Sequence, residues 1–583
     1  MSSSSGSQLP FARGAMYHRP SWAASDAVNY SDSPYPGTTS SPSLQARYSL
    51  GPDPAQWGVS LEDEDPDDEL HRPDPEKSEK FTGIERSGHP MSMRGLTNLG
   101  CLLILLAGIF ALFIGYPVIS ALNGSLGINP SFNIGGTGAN STGQVPGIPG
   151  NWGLIDTETP LESYTMASWE GNGDMQLVFS DEFNTDGRSF YPGDDPFWES
   201  VDLHYWETNN LEWYDPEAVT TKGGSLVITL SEKPTHNLNF EGGLLSTWNK
   251  FCFTGGYIET RVILPGANNV MGFWPAVWTM GNLGRAGYGA SLDGLWPYTY
   301  DSCDVGTVQN QTVNGLPEAA TVHGDTGHHG ELSWLPGQRL SRCTCPGESH
   351  PGPMHSDGTF VGRSAPEIDV FEAQINKNRV SQVSQSAQWA PFDAAYEWFN
   401  TTDNLQIPNP SISALNTFKG SITQEATSVV SSTDPTAYEL NGNQFSIYGF
   451  EYKPGFDDAY ITWISNNVVS WTIRSGGLAA NPLTNISARP IPQEPMYIIA
   501  NLGMSFNFGN VELNQLTFPS SMHVDYIRVY QPKNAINIGC NPPDFPTQAY
   551  INQYIDAYTN PNFTSWSDDF GQSWPRNSFL GQC

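Results

Sequence analysis

Basic residues are scarce in this chain: 26 Lys and Arg stand against 60 Asp and Glu over 583 residues, a formal net charge of −34. That balance argues against nucleic acid as a partner, because gripping phosphates needs a concentrated basic patch. Long helical periodicity is missing, and no internal repeat is visible. Cysteines number only seven, and the His and Cys spacing around Cys343, Cys345, His350 and His355 fits no common zinc finger. Long apolar runs are absent, with one exception.

The exception is Leu99 to Leu122, almost continuously apolar and set in a charge-free interval between Arg94 and Asp156. At 1.5 Å per residue it is long enough to cross a hydrocarbon layer of about 30 Å. A cleavable signal peptide sits at the extreme N-terminus, whereas about 90 residues precede this span. Lys77, Lys80, Arg86 and Arg94 lie on its N-terminal side and no basic residue follows for many positions. The positive-inside rule then leaves the N-terminus cytosolic and the large C-terminal part outside. The expectation is a single-pass type II signal anchor over 95–122, in the endoplasmic reticulum, Golgi or plasma membrane.

Around it, residues 1–94 are rich in Ser, Pro, Gly and Asp and carry the acidic run Glu62–Glu69. Such a composition buries too little apolar surface to offset chain entropy, which predicts a disordered cytosolic tail. Residues 123–165 read as a flexible stem. Six cysteines (Cys252, Cys303, Cys343, Cys345, Cys540 and Cys583) and the sequons at Asn123, Asn140, Asn310, Asn400, Asn485 and Asn562 all follow the span. Both fit an oxidising, glycosylating compartment. Six cysteines allow 15 pairings, and spacing does not choose among them.

From Gln176 onward, short β-rich runs alternate with turn residues: 176–180, 225–230, 256–264, 271–280, 445–452, 460–464, 468–473, 496–501 and 522–530. This predicts an all-β antiparallel sandwich over 166–532, with long loops inserted at 284–366 and a C-terminal extension at 533–583.

The chemistry concentrates in Glu367-Ile368-Asp369-Val370-Phe371-Glu372. Strand alternation puts Glu367 and Asp369 on one face and sends Glu372 to the other. One β-bulge returns Glu372 to the first face. Glu367 and Glu372 then lie roughly 13 Å apart at Cα, at about 3.3 Å per step. Inward-leaning side chains close that to roughly 5–6 Å, the spacing of retaining rather than inverting glycosidases. In Met271–Met280, Trp274, Ala276 and Trp278 share a face, so two indoles offer a floor for pyranose rings. Core packing is an equally good account of Trp278.

With Val178–Phe183, Trp248–Arg261 and Val524–Tyr530, these motifs resemble glycoside hydrolase family 16, the laminarinase-like β-jelly-roll enzymes. The resemblance covers about 170–532. The inserted segments Leu295–Asp304, Leu335–Gly347 and Ala365–Ala373 are similar to those of the fungal killer-toxin-resistance family, type II membrane proteins of β-1,6-glucan synthesis. The resemblance implies Glu367 as nucleophile, Glu372 as general acid/base and Asp369 hydrogen-bonded between them, with Trp248, Trp274 and Trp278 at sugar subsites. It implies no required cofactor. Asp525 matches a position that contributes to a structural calcium site in some relatives, and that is left open.

The function so implied is a membrane-anchored retaining β-glucan hydrolase or transglycosylase serving wall assembly. The alternative is a glucan-binding or chaperone-like protein. Three crowded carboxyls argue against a pure binder, and permanent anchoring argues against a scavenging endoglucanase.

Overall fold

The computed structural model describes residues 153–583. The expected tail (1–94), anchor (95–122) and most of the stem lie outside the described residues. Among those described, no helix is long and apolar enough to cross a membrane.

Two large sheets face each other across a core of buried apolar residues. One runs, in hydrogen-bonded order, through Thr165–Ala167, Asp174–Asp181, Ser520–Pro532, Gly256–Ile263, Ser446–Lys453, Tyr460–Ser465, Val468–Arg474 and Leu405–Gln406. The other runs through Ser413–Leu415, Gln424–Ser432, Ser381–Trp389, Glu367–Ile375, Trp274–Gly281, Met496–Gly503, Phe240–Ser246, Glu212–Tyr214 and Leu203–His204. All pairings on these paths are antiparallel except that of Glu212–Tyr214 with Phe240–Ser246.

Alternation assigns the faces. Along Glu367–Ile375 and its neighbours, Ile368, Phe371, Val277, Ala387 and Trp389 point into the space between the sheets. The opposite face of the second sheet carries the carboxyls. It is flanked by a separate apolar cluster in which Ala276, Trp278 and Met280 meet Leu283, Leu295, Tyr497, Tyr558 and Trp566. The inserted segment and the C-terminal extension therefore complete this side of the molecule. Two disulfides bind the extension, Cys252–Cys540 and Cys345–Cys583, and Cys303–Cys343 closes the insertion. Cys343 and Cys345 are thus committed to disulfides, not to metal. The side chains of Asn400, Asn485 and Asn562 are exposed, as glycan acceptors need.

The expected bulge is present. Val277 pairs with Phe371 and Trp278 with Asp369, so Val370 has no opposite number. On the other side, Ile368 pairs with Ala387 and Glu372 with Ser384, again one residue too many on the carboxylate strand. A bulge frees backbone groups that the ladder would otherwise satisfy. Here the core supplies partners. The buried Trp463 indole Nε1 donates to the Asp369 carbonyl at 2.8 Å, and Gln385 Nε2 donates to the Val370 carbonyl at 2.9 Å. Trp463 is itself held by stacking on Trp471, centroids 4.2 Å apart and 3° from parallel.

Trp463→Phe keeps most of the ring and orphans the Asp369 carbonyl. It is expected to cost about 1–3 kcal/mol in chemical denaturation, with a further loss of turnover as the bulge relaxes. Equal stability and turnover would remove this role from the core indole.

Candidate active site

Glu367, Asp369 and Glu372 project from one face, opposite Met280, Trp278 and Ala276 on the neighbouring strand. Each carboxyl has its own donors. Trp274 Nε1 donates to Glu372 Oε1 at 2.9 Å. Trp296 Nε1 donates to Glu367 Oε2 at 2.6 Å. Asp369, 2 % exposed, accepts from Ser386 Oγ at 2.7 Å and Gln388 Nε2 at 3.0 Å, both through Oδ2. Glu367 and Asp369 also share a hydrogen bond.

Trp296 comes from the inserted segment, so the insertion builds the site as well as bordering it. The Ala365 N–H donates to the Leu295 carbonyl at 3.0 Å, docking the insertion beside the start of the carboxylate strand. Gly281 permits that approach, since a Cβ there would meet Pro366 Cδ at 2.6 Å.

Burial dominates the protonation of the trio. It raises Glu372 to about 8, with Asp369 adding repulsion and the Trp274 bond opposing. It raises Asp369 less, to about 6, because Ser386, Gln388 and Glu367 donate to its carboxylate. Glu367 is pushed well above the ordinary carboxyl range by burial and then by Asp369, against the Trp296 bond. One proton shared within the Glu367–Asp369 pair leaves one negative charge there; when it rests on Asp369, Glu367 is a carboxylate. Glu372, meanwhile, keeps its proton at neutral pH. One face therefore holds a carboxyl pair that shares a proton and a third carboxyl that is protonated at neutral pH.

Two pH effects follow. Turnover should be bell-shaped, falling below about pH 6 as the pair takes a second proton and above about pH 8 as Glu372 loses its own. The folded-state pKa of Glu372 lies above its ordinary 4.5, so its stabilisation is complete below 4.5 and is lost as pH rises through about 8. Thermal melting should therefore decline with rising pH more steeply in the native protein than in Glu372→Gln. Parallel declines would contradict the shift.

The three tryptophans differ. Trp274 is half-buried, and its ring stacks on Phe508 at 4.2 Å and 1°. Trp278 is only 8 % exposed; its Nε1 donates to Asn501 Oδ1 at 2.8 Å, and Asn501 Nδ2 donates to the Tyr214 hydroxyl at 3.2 Å. It underlies the trio more than it presents a face. Trp248 lies past the end of Phe240–Ser246, with Arg285 over its ring at 4.3 Å and Tyr558 stacked at 5.7 Å. The C-terminal extension thus engages that ring directly.

Sequence reasoning assigned no site role to Trp296, Ser386, Gln388 or Asn501. It also passed over Glu207, whose carboxyl oxygens are buried without a partner and whose pKa burial raises to about 7. Tyr205 lies within electrostatic reach of both Glu207 and Glu367. The Asp525 carboxylate is engaged by Arg261, whose Nη1 pairs with its Oδ2 at 2.5 Å. Among the described residues no three His, Cys, Asp or Glu side chains gather as metal ligands.

The family model of the β-glucan synthesis-associated proteins SKN1/KRE6/Sbg1 matches residues 57–583. SKN1 of Candida albicans is 40 % identical over 529 residues, covering 90 % of this chain and 67 % of that protein. KRE6 of Saccharomyces cerevisiae is 39 % identical over 566 residues, covering 94 % and 74 %. A β-glucanase of Rhodothermus marinus is 28 % identical over 157 residues, 26 % of this chain and 50 % of that protein. Among solved structures, the catalytic domain of an endo-1,3-β-glucanase (laminarinase) from Thermotoga petrophila aligns with a TM-score of 0.35 at 18 % identity, over 62 % of this chain and 99 % of that one. The chain belongs to the SKN1/KRE6/Sbg1 family of β-glucan synthesis-associated proteins.

Proposed function

We propose that this chain is a membrane-anchored, retaining β-glucan glycosidase or transglycosylase that serves β-1,6-glucan assembly in a fungal wall. The observation that carries the reading is the bulge that returns Glu372 to the face of Glu367 and Asp369, each with its own donor. The names of the relatives support the glucan and its synthesis.

In the first step the Glu367 carboxylate attacks the anomeric carbon while the glycosidic C–O bond breaks. The Glu372 proton passes to the leaving oxygen. In the second, the Glu372 carboxylate takes a proton from an acceptor hydroxyl, whose oxygen attacks the anomeric carbon and frees Glu367. Asp369 stores the shared proton and steadies Glu367. Water as acceptor gives hydrolysis; a sugar hydroxyl gives transfer. Trp274 supplies a ring edge at the reacting sugar, with Trp278 below it and Trp248 at the flank. The span 95–122 anchors the enzyme, with 1–94 cytosolic, 123–165 a stem, and the sandwich (166–532) and extension (533–583) lumenal, in the secretory pathway.

The full-length protein, incubated with β-1,3- and β-1,6-gluco-oligosaccharides and followed by mass spectrometry, tests this. Products longer than the input are expected. Shorter products alone would make it a hydrolase, and retained binding without products would favour a glucan-holding protein.

A further inference from the structure

The carboxyls do not end the polar floor of their sheet. Ser386, which donates to Asp369, pairs directly with Ser428 on the next strand. Asn416, just past the end of the next strand Ser413–Leu415, then donates through Nδ2 to Ser428 Oγ at 3.1 Å. Ser384, opposite Glu372, has its Oγ 3.0 Å from that of Ser428. Asp369, Ser386, Ser428 and Asn416 thus form one row across four neighbouring segments of one face. Three inter-strand steps of about 4.8 Å carry it roughly 14 Å from the carboxyls.

At its far end the row opens into a shallow hollow of about 90 Å³, open to solvent on one side. Phe418, 47 % exposed, stands at its edge, and Tyr396 and Trp398 are buried in its wall. Asn400 and Asn416 add amides to the lining. The one cation there, Lys419, is paired with Glu397, so the hollow offers no spare positive charge to an anion. Aromatic rings beside amides and a hydroxyl match a neutral sugar ring, with apolar C–H faces and polar edges.

We infer that this hollow is a second glucosyl-binding station, which holds the same β-glucan chain that lies across the carboxyls. The inference rests on the proposed β-glucan activity. It adds that Phe418 selects for chain length: short oligosaccharides that span only the carboxyls do not reach it, and longer ones do.

The test compares native full-length protein with Phe418→Ala and Phe418→Tyr, using short and long β-gluco-oligosaccharides. Phe418→Ala should raise KM for long oligosaccharides roughly tenfold, about the effect of one lost ring contact, and leave kcat and short oligosaccharides unchanged. Phe418→Tyr, which keeps the ring, should restore the native KM. Phe418 is exposed, so melting should be unaffected.

Normal turnover with no change of KM in Phe418→Ala would overturn the station and leave the enzymatic reading standing. Without turnover, the same comparison is made by direct binding: Phe418-dependent binding of long oligosaccharides supports the station while the catalytic reading fails. If no β-glucan binds at all, both fail. Dependence on Phe418 only after enzymatic removal of N-glycans would also overturn the proposal, because a glycan on Asn400 would then own the hollow.

Discussion

Glu367→Gln and Glu372→Gln should each lower turnover of β-gluco-oligosaccharides by roughly 10²–10⁴-fold while leaving binding intact. Both variants keep the size of the side chain and the indole donors from Trp296 and Trp274, so the sheet and floor persist. What they remove differs. Glutamine at 367 cannot form the glycosyl ester, and glutamine at 372 cannot lend a proton. The difference is measurable with a small anionic nucleophile. Glu372→Ala, given an activated glucoside that needs no acid, should be rescued by azide with the β configuration kept. Glu367→Ala should be rescued with inversion, because azide then attacks the substrate directly. Turnover within a few-fold of native in both glutamine variants would exclude these carboxyls from the chemistry.

Arg489→Met should cost about 3–5 kcal/mol, the range for stripping one partner from a buried ion cluster. Arg489, Asp393 and Glu425 side chains are fully inaccessible to solvent. The guanidinium pairs with Asp393, contacts Glu425 at 3.0 Å and donates to the Pro391 carbonyl at 2.9 Å. Asn481 Nδ2 adds a bond to Asp393 at 2.9 Å. The cluster ties three segments together: the turn after Ser381–Trp389, the start of Gln424–Ser432 and the loop before Met496–Gly503. The first two of these strands carry Ser386, Gln388 and Ser428, so turnover should fall with stability. Adding Asp393→Asn and Glu425→Gln to Arg489→Met removes the stranded charges and should recover part of the loss. Chemical denaturation reads both. A single variant within about 0.5 kcal/mol of native, the range of ordinary surface changes, would contradict the cluster's role.

The sandwich and its nine predicted strands were legible because β-branched and aromatic runs alternate with turn residues. All nine runs overlap strands. The three longest strands of the carboxylate sheet that the runs missed show why. Ser381–Trp389 and Gln424–Ser432 present Ser384, Ser386, Gln388 and Ser428 to the site, so their apolar signal is halved. Phe240–Ser246 contains Gly242 and Gly243, which read as a turn. They are there for close approach: a Cβ on Gly243 would meet Val219 Cγ2 at 2.4 Å. The bulge was legible only because three carboxyls needed one face. Its supports, Trp463 and Gln385, lie 94 and 15 residues from the carbonyls they satisfy. Trp296 was hidden for the same reason, 71 residues before Glu367 in a stretch with no periodicity. The disulfide pairs, 40 to 288 residues apart, depend on how the insertion and extension fold back.

Covalent capture of the intermediate tests the central claim most directly. The full-length protein is incubated with an activated 2-deoxy-2-fluoro-β-glucoside, which forms the glycosyl ester faster than it is released, and the adduct is located by peptide mass spectrometry. The account predicts one glucosyl adduct on Glu367, absent in Glu367→Gln and formed far more slowly in Glu372→Gln when the leaving group needs a proton. An adduct on another residue, or none while oligosaccharide still binds, would contradict a retaining mechanism through Glu367.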